Sequence, residues 1–180
     1  MISIIRGTAA KGSAMHEIRP ARRAAALVLA ASAALAASAQ ERRNAFDDPF
    51  LPVTSAIAGC PVPRPPGFTQ DEVRKEAHVR AQHGTSCYRV GRCRLPNSYL
   101  YDKEIIPRVQ QYIRMDGRFD DTSVWVLGER RIVTLMGCVK TREQAEQMER
   151  SVLLVDDVMG VVNYLIVGTK DKPKYEVAKP

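Results

Sequence analysis

No segment of the 180 residues reaches the ~20 consecutive apolar positions that a membrane-crossing helix needs, and the longest apolar stretch, Ala24 to Ala36, is about 13. No Gly-rich phosphate loop, HExxH helix or GxSxG elbow occurs, which argues against nucleotide-dependent, zinc-protease or serine-hydrolase chemistry. Internal repeats are also missing, so one module is the economical count. The charge balance is +7, but five of the 27 basic residues (Arg6, Lys11, Arg19, Arg22, Arg23) and one of the 20 acids (Glu17) precede residue 40. The remaining 22 basic and 19 acidic residues give only +3, too mild to indicate a nucleic-acid partner.

The N-terminal segment has the layout of an export signal. Starting at Met15, Arg19, Arg22 and Arg23 form a basic region, Ala24 to Ala36 the apolar core, and Ala37-Ser38-Ala39 a small-residue cleavage signature. Residues 1–39 are therefore expected to be a signal peptide cleaved before Gln40, with Met15 as a possible true start. About 140 residues then remain, enough for one domain plus an extension. A lipoprotein reading of Ile57-Ala58-Gly59-Cys60 fits poorly, because Asp47, Asp48, Pro49 and Pro52 interrupt the apolar region it requires.

Residues 40–100 read as an extension. Six prolines between residues 49 and 66 predict an irregular, draped arm. Thr69-Gln70-Asp71-Glu72 is a capping box that starts a helix, and Gly84 offers its stop. This helix is expected to be largely exposed and to rest on a narrow stripe of Val73, Ala77, Val79 and Ala81. Turn-forming residues dominate from Thr85 to Leu100.

From Asp102 the pattern changes. Ile105, Val109, Tyr112 and Ile113 predict one face of a helix ending near Gly117, with Pro107 placed early in it. Val124 to Leu127, a turn Gly128-Glu129-Arg130-Arg131, and Ile132 to Met136 predict a β-hairpin, with Gly137 at a bulge or a close backbone approach. A second capping box at Thr141 starts a helix with Ala145, Met148, Val152 and Leu153 at helical spacing, and Val158 to Val167 follows as a strand. The expected fold is α+β, an αββαβ module whose three-stranded mixed sheet packs on two helices. The tail, residues 169–180, is basic and expected to be frayed.

Residues 102–167 resemble the BON domain. Asp102, Ile105 and Arg108-Val109 look like its first helix, Val124 and Val126 its first strand, and Ile132 to Val139 its apolar strand closing on Gly137. Ala145 to Val152 resembles the second helix, and Val158, Val161-Val162-Asn163 and Leu165 the final strand. Residues 101–168 are accordingly taken as the module. The resemblance implies a bacterial envelope module that binds phospholipid or another envelope component, without catalytic residues or a cofactor.

Met136 and Cys138 depart from the family pattern. By alternation they face away from the helices, as Trp125 could too, so residues 50–100 are expected to cover that face of the sheet. Four cysteines in an exported chain suggest two disulfides, and of three connectivities Cys87–Cys93 with Cys60–Cys138 is favoured, the second stapling the arm to the sheet.

Lys103, Arg108, Arg114, Arg118, Lys140, Arg142 and Arg150 flank or lie on the two module helices and are the candidate contacts for anionic lipid headgroups or an envelope partner. The plainer reading is a solvated mixed-charge face with Glu143, Glu146 and Glu149. Trp125 and Tyr164 are candidate interfacial anchors or simply strand packing. Two further readings stay open: a periplasmic protein–protein adaptor, and a metal or catalytic site built from His78, His83, Cys87 and Cys93.

Overall fold

The computed structural model describes residues 41–179. The signal-peptide expectation, with Met15 and the basic residues before Ala24, lies outside the described residues.

The sheet has four strands in the order β1-β2-β3-β4: β1 (Phe50–Ser55), β2 (Ser123–Glu129), β3 (Ile132–Val139) and β4 (Gly160–Val167). Three long helices accompany it: α1 (Gln70–Gly84), α2 (Asp102–Asp116) and α3 (Arg142–Leu153), with a single helical turn at Ser86–Arg89 and a 3-10 turn at Ser98–Tyr101 running into α2. The order α2-β2-β3-α3-β4 is the expected αββαβ module, and the sheet is mixed because β2–β3 is antiparallel and β3–β4 parallel.

The fourth strand corrects the three-stranded expectation. The proline-rich arm supplies β1, which pairs antiparallel with β2 and shifts register between Pro52 and Thr54. Prolines are compatible with a strand at the sheet edge, where a missing N–H need not face a neighbour. Val53 is buried in the core, and Leu51 packs against it. The outward carbonyls of β1 are used as well: Arg114 Nε donates to Val53 at 2.9 Å and Gln110 Nε2 to Pro52.

One face of the sheet and the two module helices form the core. Ile105, Ile106, Val109 and Ile113 of α2 meet Val124, Val126, Val133 and Leu135 of the hairpin and Met148 and Val152 of α3, all fully buried. Tyr112 does not belong to this row; it is partly exposed, on a flank with Arg108 and Met115 at spacings of 4 and 3. Leu153 is exposed too, and Ser151 takes a buried position on α3. Gly117, with φ 72°, stops α2 in the left-handed region as expected. Pro107 lies inside the helix rather than in its opening turn, so it removes an internal bond on the exposed side. Gly137 makes the close approach expected of it: with φ 123°, a Cβ would lie 2.0 Å from the Ser123 carbonyl oxygen.

The hairpin turn is tighter than the sequence suggests. Gly128 and Glu129 remain in β2, Glu129 faces Ile132 in register, and only Arg130 and Arg131 form the loop, both at positive φ (57° and 67°). A two-residue loop of this hand matches the strand twist, but usually uses Asn and Gly.

The opposite face carries Trp125, Met136 and Tyr164 side by side across β2, β3 and β4. Cys138 on that face is bonded to Cys60 and fully buried, and Met136 is covered. The cover comes from the arm and the C-terminal tail together. Arg64 N donates to Glu176 O at 2.7 Å, Ala178 N to Val62 O at 2.8 Å, and Tyr175 Oη to Pro61 O at 2.8 Å. This part of the tail is thus a hydrogen-bonded partner of the arm and not a frayed end, because extended proline-rich backbone leaves carbonyls free to pair.

Helix α1 is held by a charge and not by the apolar stripe. Its buried residues are Arg80 and Gly84, whereas Ala77, Val79 and Ala81 face solvent. Val79 and Ala81 are two apart and cannot share one helical face, while 73, 76, 80 and 84 can. The Arg80 guanidinium makes two bonds to Asp48 (2.6 and 2.7 Å) and one to Glu76 (2.8 Å), and lies 4.1 Å from the Phe46 ring and 4.2 Å from that of Tyr99. Burial opposes its charge, but the two carboxylates more than offset this and raise its pKa.

Candidate functional site

Helices α2 and α3 lie on the same side of the sheet, and the flank of α2 and the turn that follows α3 leave a groove of about 300 Å³ lined by Arg108, Gln111, Tyr112, Met115, Leu154, Val155 and Asp156. Met115 is 77% and Leu154 75% exposed. Leu153, the last residue of α3, and Met159 beyond it are exposed as well. Single exposed apolar residues are ordinary, but a cluster of large ones at one groove marks a surface suited to a partner or a membrane.

The local sequence explains the exposure. Val109 and Ile113 use up the inward face of α2, which leaves Tyr112 and Met115 on its flank. Leu154 caps α3 through a backbone bond to Ser151, turning the chain so that its side chain leaves the helix and points away from the core.

Of the seven candidate cations only Arg108 lines this groove, and most of the seven hold internal partners. Arg108 lines it and reaches Glu104 at 3.3 Å, Asp157 at 3.5 Å and the Asp156 carbonyl at 3.2 Å. Arg118 bonds Asp116 (2.6 Å to Oδ2) and Ser151 at 3.3 Å, and this guanidinium holds the Asp116 carboxyl below the usual range. Lys140 lies 2.8 Å from Asp121, whose carboxyl it likewise lowers, and Lys103 lies 4.0 Å from Asp47. Arg150 is 3.9 Å from Glu146, while Arg142 has no carboxylate within 4.0 Å among the described residues.

Arg114 is engaged differently, by backbone carbonyls of β1, so it is chiefly an edge clamp. Solvent screens these exposed pairs, so a phosphate can displace the carboxylate.

Trp125 and Tyr164 sit on the other face of the sheet, half-buried, away from the cations. The alternative His and Cys site loses its sulfurs: Cys87 is bonded to Cys93, Cys60 to Cys138, and no free cysteine remains. Among the described residues no three His, Cys, Asp or Glu side chains converge on a point that could hold a metal ion. His78 and His83 are both exposed on α1.

Sequence reasoning missed Met115, Leu154 and Met159. The available signal was Leu153-Leu154, two large apolar residues of which a helix can bury only one.

No helix among the described residues is long and apolar enough to cross a membrane. No curated protein matches the chain. The family model of the BON domain matches residues 101–169, the same span that forms α2, the hairpin, α3 and β4, and the chain therefore contains a BON domain.

Proposed function

We propose that the protein is an exported, non-enzymatic binding module of a bacterial envelope whose BON domain docks on anionic phospholipid through the groove between α2 and the turn that follows α3. The carrying observation is the exposure of Met115 and Leu154 in one groove with Arg108. Apolar side chains can enter the acyl boundary while nearby cations meet headgroups, each worth about 1 kcal/mol close to an anionic surface. The known association of the family with phospholipid supports the reading by analogy. In this reading the mature chain begins at Gln40 and works in the periplasm, where both disulfides persist.

Co-sedimentation with vesicles of phosphatidylglycerol and phosphatidylcholine tests it. Binding should exceed that to pure phosphatidylcholine vesicles and weaken as salt rises. Equal behaviour of the two vesicle types at low salt would remove the lipid reading. Recovery of one stoichiometric envelope protein, with no vesicle binding, would establish the adaptor reading in its place.

A further inference from the structure

Between Glu76 and Asp102 the chain contains no carboxylate side chain, yet it carries Arg80, Arg89, Arg92 and Arg94. Arg80 is consumed by Asp48 and Glu76, and Arg94 by Glu104. Arg89 and Arg92 are exposed, and neither has a carboxylate within 4.0 Å among the described residues. Both lie in the short loop that the Cys87–Cys93 disulfide closes. The same loop exposes Tyr88 by 50% and Val90 by 63%.

This loop is preformed. Its backbone turns on itself through Gly91 N donating to Tyr88 O at 3.0 Å and Arg92 N to Cys87 O at 2.9 Å. Its base is anchored to the BON domain: Arg131 Nη1 lies 3.3 Å from Cys93 Sγ, and Leu95 N donates to the Tyr101 hydroxyl at 3.0 Å. Among the described residues, no side-chain hydrogen bond or ion pair involves Tyr88, Arg89, Val90 or Arg92 at the loop's tip. An aromatic and a β-branched side chain between two unpaired guanidiniums match a boundary that is apolar below and anionic above.

The loop also adjoins the groove. Arg94 beside the disulfide pairs with Glu104, which pairs in turn with the groove residue Arg108. We propose that the Cys87–Cys93 loop is a second membrane anchor, which inserts Tyr88 and Val90 into an anionic phospholipid bilayer while Arg89 and Arg92 bind its phosphates. This rests on the lipid reading of the groove and extends the contact beyond the BON domain into the extension. Acidic proteins fit less well, because the exposed apolar tip would have to find a matching pocket on each of them.

The mature protein, Arg89→Gln/Arg92→Gln and Tyr88→Ser/Val90→Ser are compared for partition onto vesicles of phosphatidylglycerol and phosphatidylcholine. Each double variant should partition at least about tenfold more weakly than the parent, with an unchanged urea midpoint showing that it folds. Independently, Tyr88→Trp in a Trp125→Phe background should be quenched by brominated phospholipid in the same vesicles. Unchanged partition and no quenching, with the parent protein still binding, would overturn the loop anchor and leave the groove reading intact. Failure of the parent to bind anionic vesicles would overturn both.

Discussion

The Asp102 carboxylate accepts the backbone N–H groups of both Arg130 and Arg131, at 2.7 Å each, and so bridges the start of α2 to the β2–β3 turn. The two arginines hold left-handed conformations that cost an L-residue roughly 1 kcal/mol or more apiece, and the pair of charge-assisted bonds offsets that cost. One buried acid thereby permits a two-residue turn without glycine or asparagine.

Removing that acceptor should be expensive. Asp102→Ala leaves two turn donors without their partner, and about 2–3 kcal/mol of stability should be lost. Urea unfolding checks this, with the midpoint falling at constant slope.

The same residue should make stability pH-dependent. Burial pushes the Asp102 carboxyl up to about 6 although the amide donors of Arg131 and Arg130 pull it down. A folded-state pKa above the unfolded value near 3.8 means that the folded form holds the proton more tightly. This contribution is therefore full below about pH 4, declines as pH rises through about 6, and amounts to roughly 3 kcal/mol over the window. Carboxyl NMR should give a midpoint near 6, and Asp102→Asn should flatten that part of the stability profile. A midpoint below 4 would show that the donors outweigh burial.

Arg80 is the keystone of the extension. Arg80→Ala strands Asp48 in a buried site, and the expected loss is about 3–5 kcal/mol. Asp48→Asn should cost a similar amount, and the double variant less than the sum, because both act on one pair. Thermal unfolding of the four proteins completes the cycle.

The two disulfides should differ in worth. Cys60 and Cys138 are 78 residues apart, Cys87 and Cys93 only 6. On the chain-entropy account their removal as Ser pairs costs about 4–5 and about 2 kcal/mol respectively. Denaturant unfolding of each double variant measures the difference.

At the groove, Met115→Ser/Leu154→Ser should leave stability within about 0.5 kcal/mol, since both side chains already face solvent. Vesicle binding should fall about tenfold or more. A variant that binds like the parent would shift the contact away from this groove.

Much of the module could be read from residue spacing, because both of its helices bury a row at helical period, and Thr69 and Thr141 mark where α1 and α3 begin. The Thr69 box forms in full with Glu72, whereas the Thr141 box forms only by half: Gln144 N donates to Thr141 Oγ1 at 3.1 Å, but Gln144 Oε1 accepts from Lys140 N at 3.0 Å and not from Thr141. The family resemblance rested on the same apolar rows. The candidate site was less legible. Arg114 looks like any surface cation in sequence and becomes an edge clamp only because β1 lies beside it.

Sequence alone determined the order of the module's elements, since local periodicity and caps act over a few residues. The strand in the proline-rich arm, the burial of Arg80, the pairing of the tail and the clustering of Met115 with Leu154 were decided by tertiary structure. Each depends on a partner dozens of residues away, and a one-dimensional pattern holds no record of which distant backbone or charge will arrive beside it.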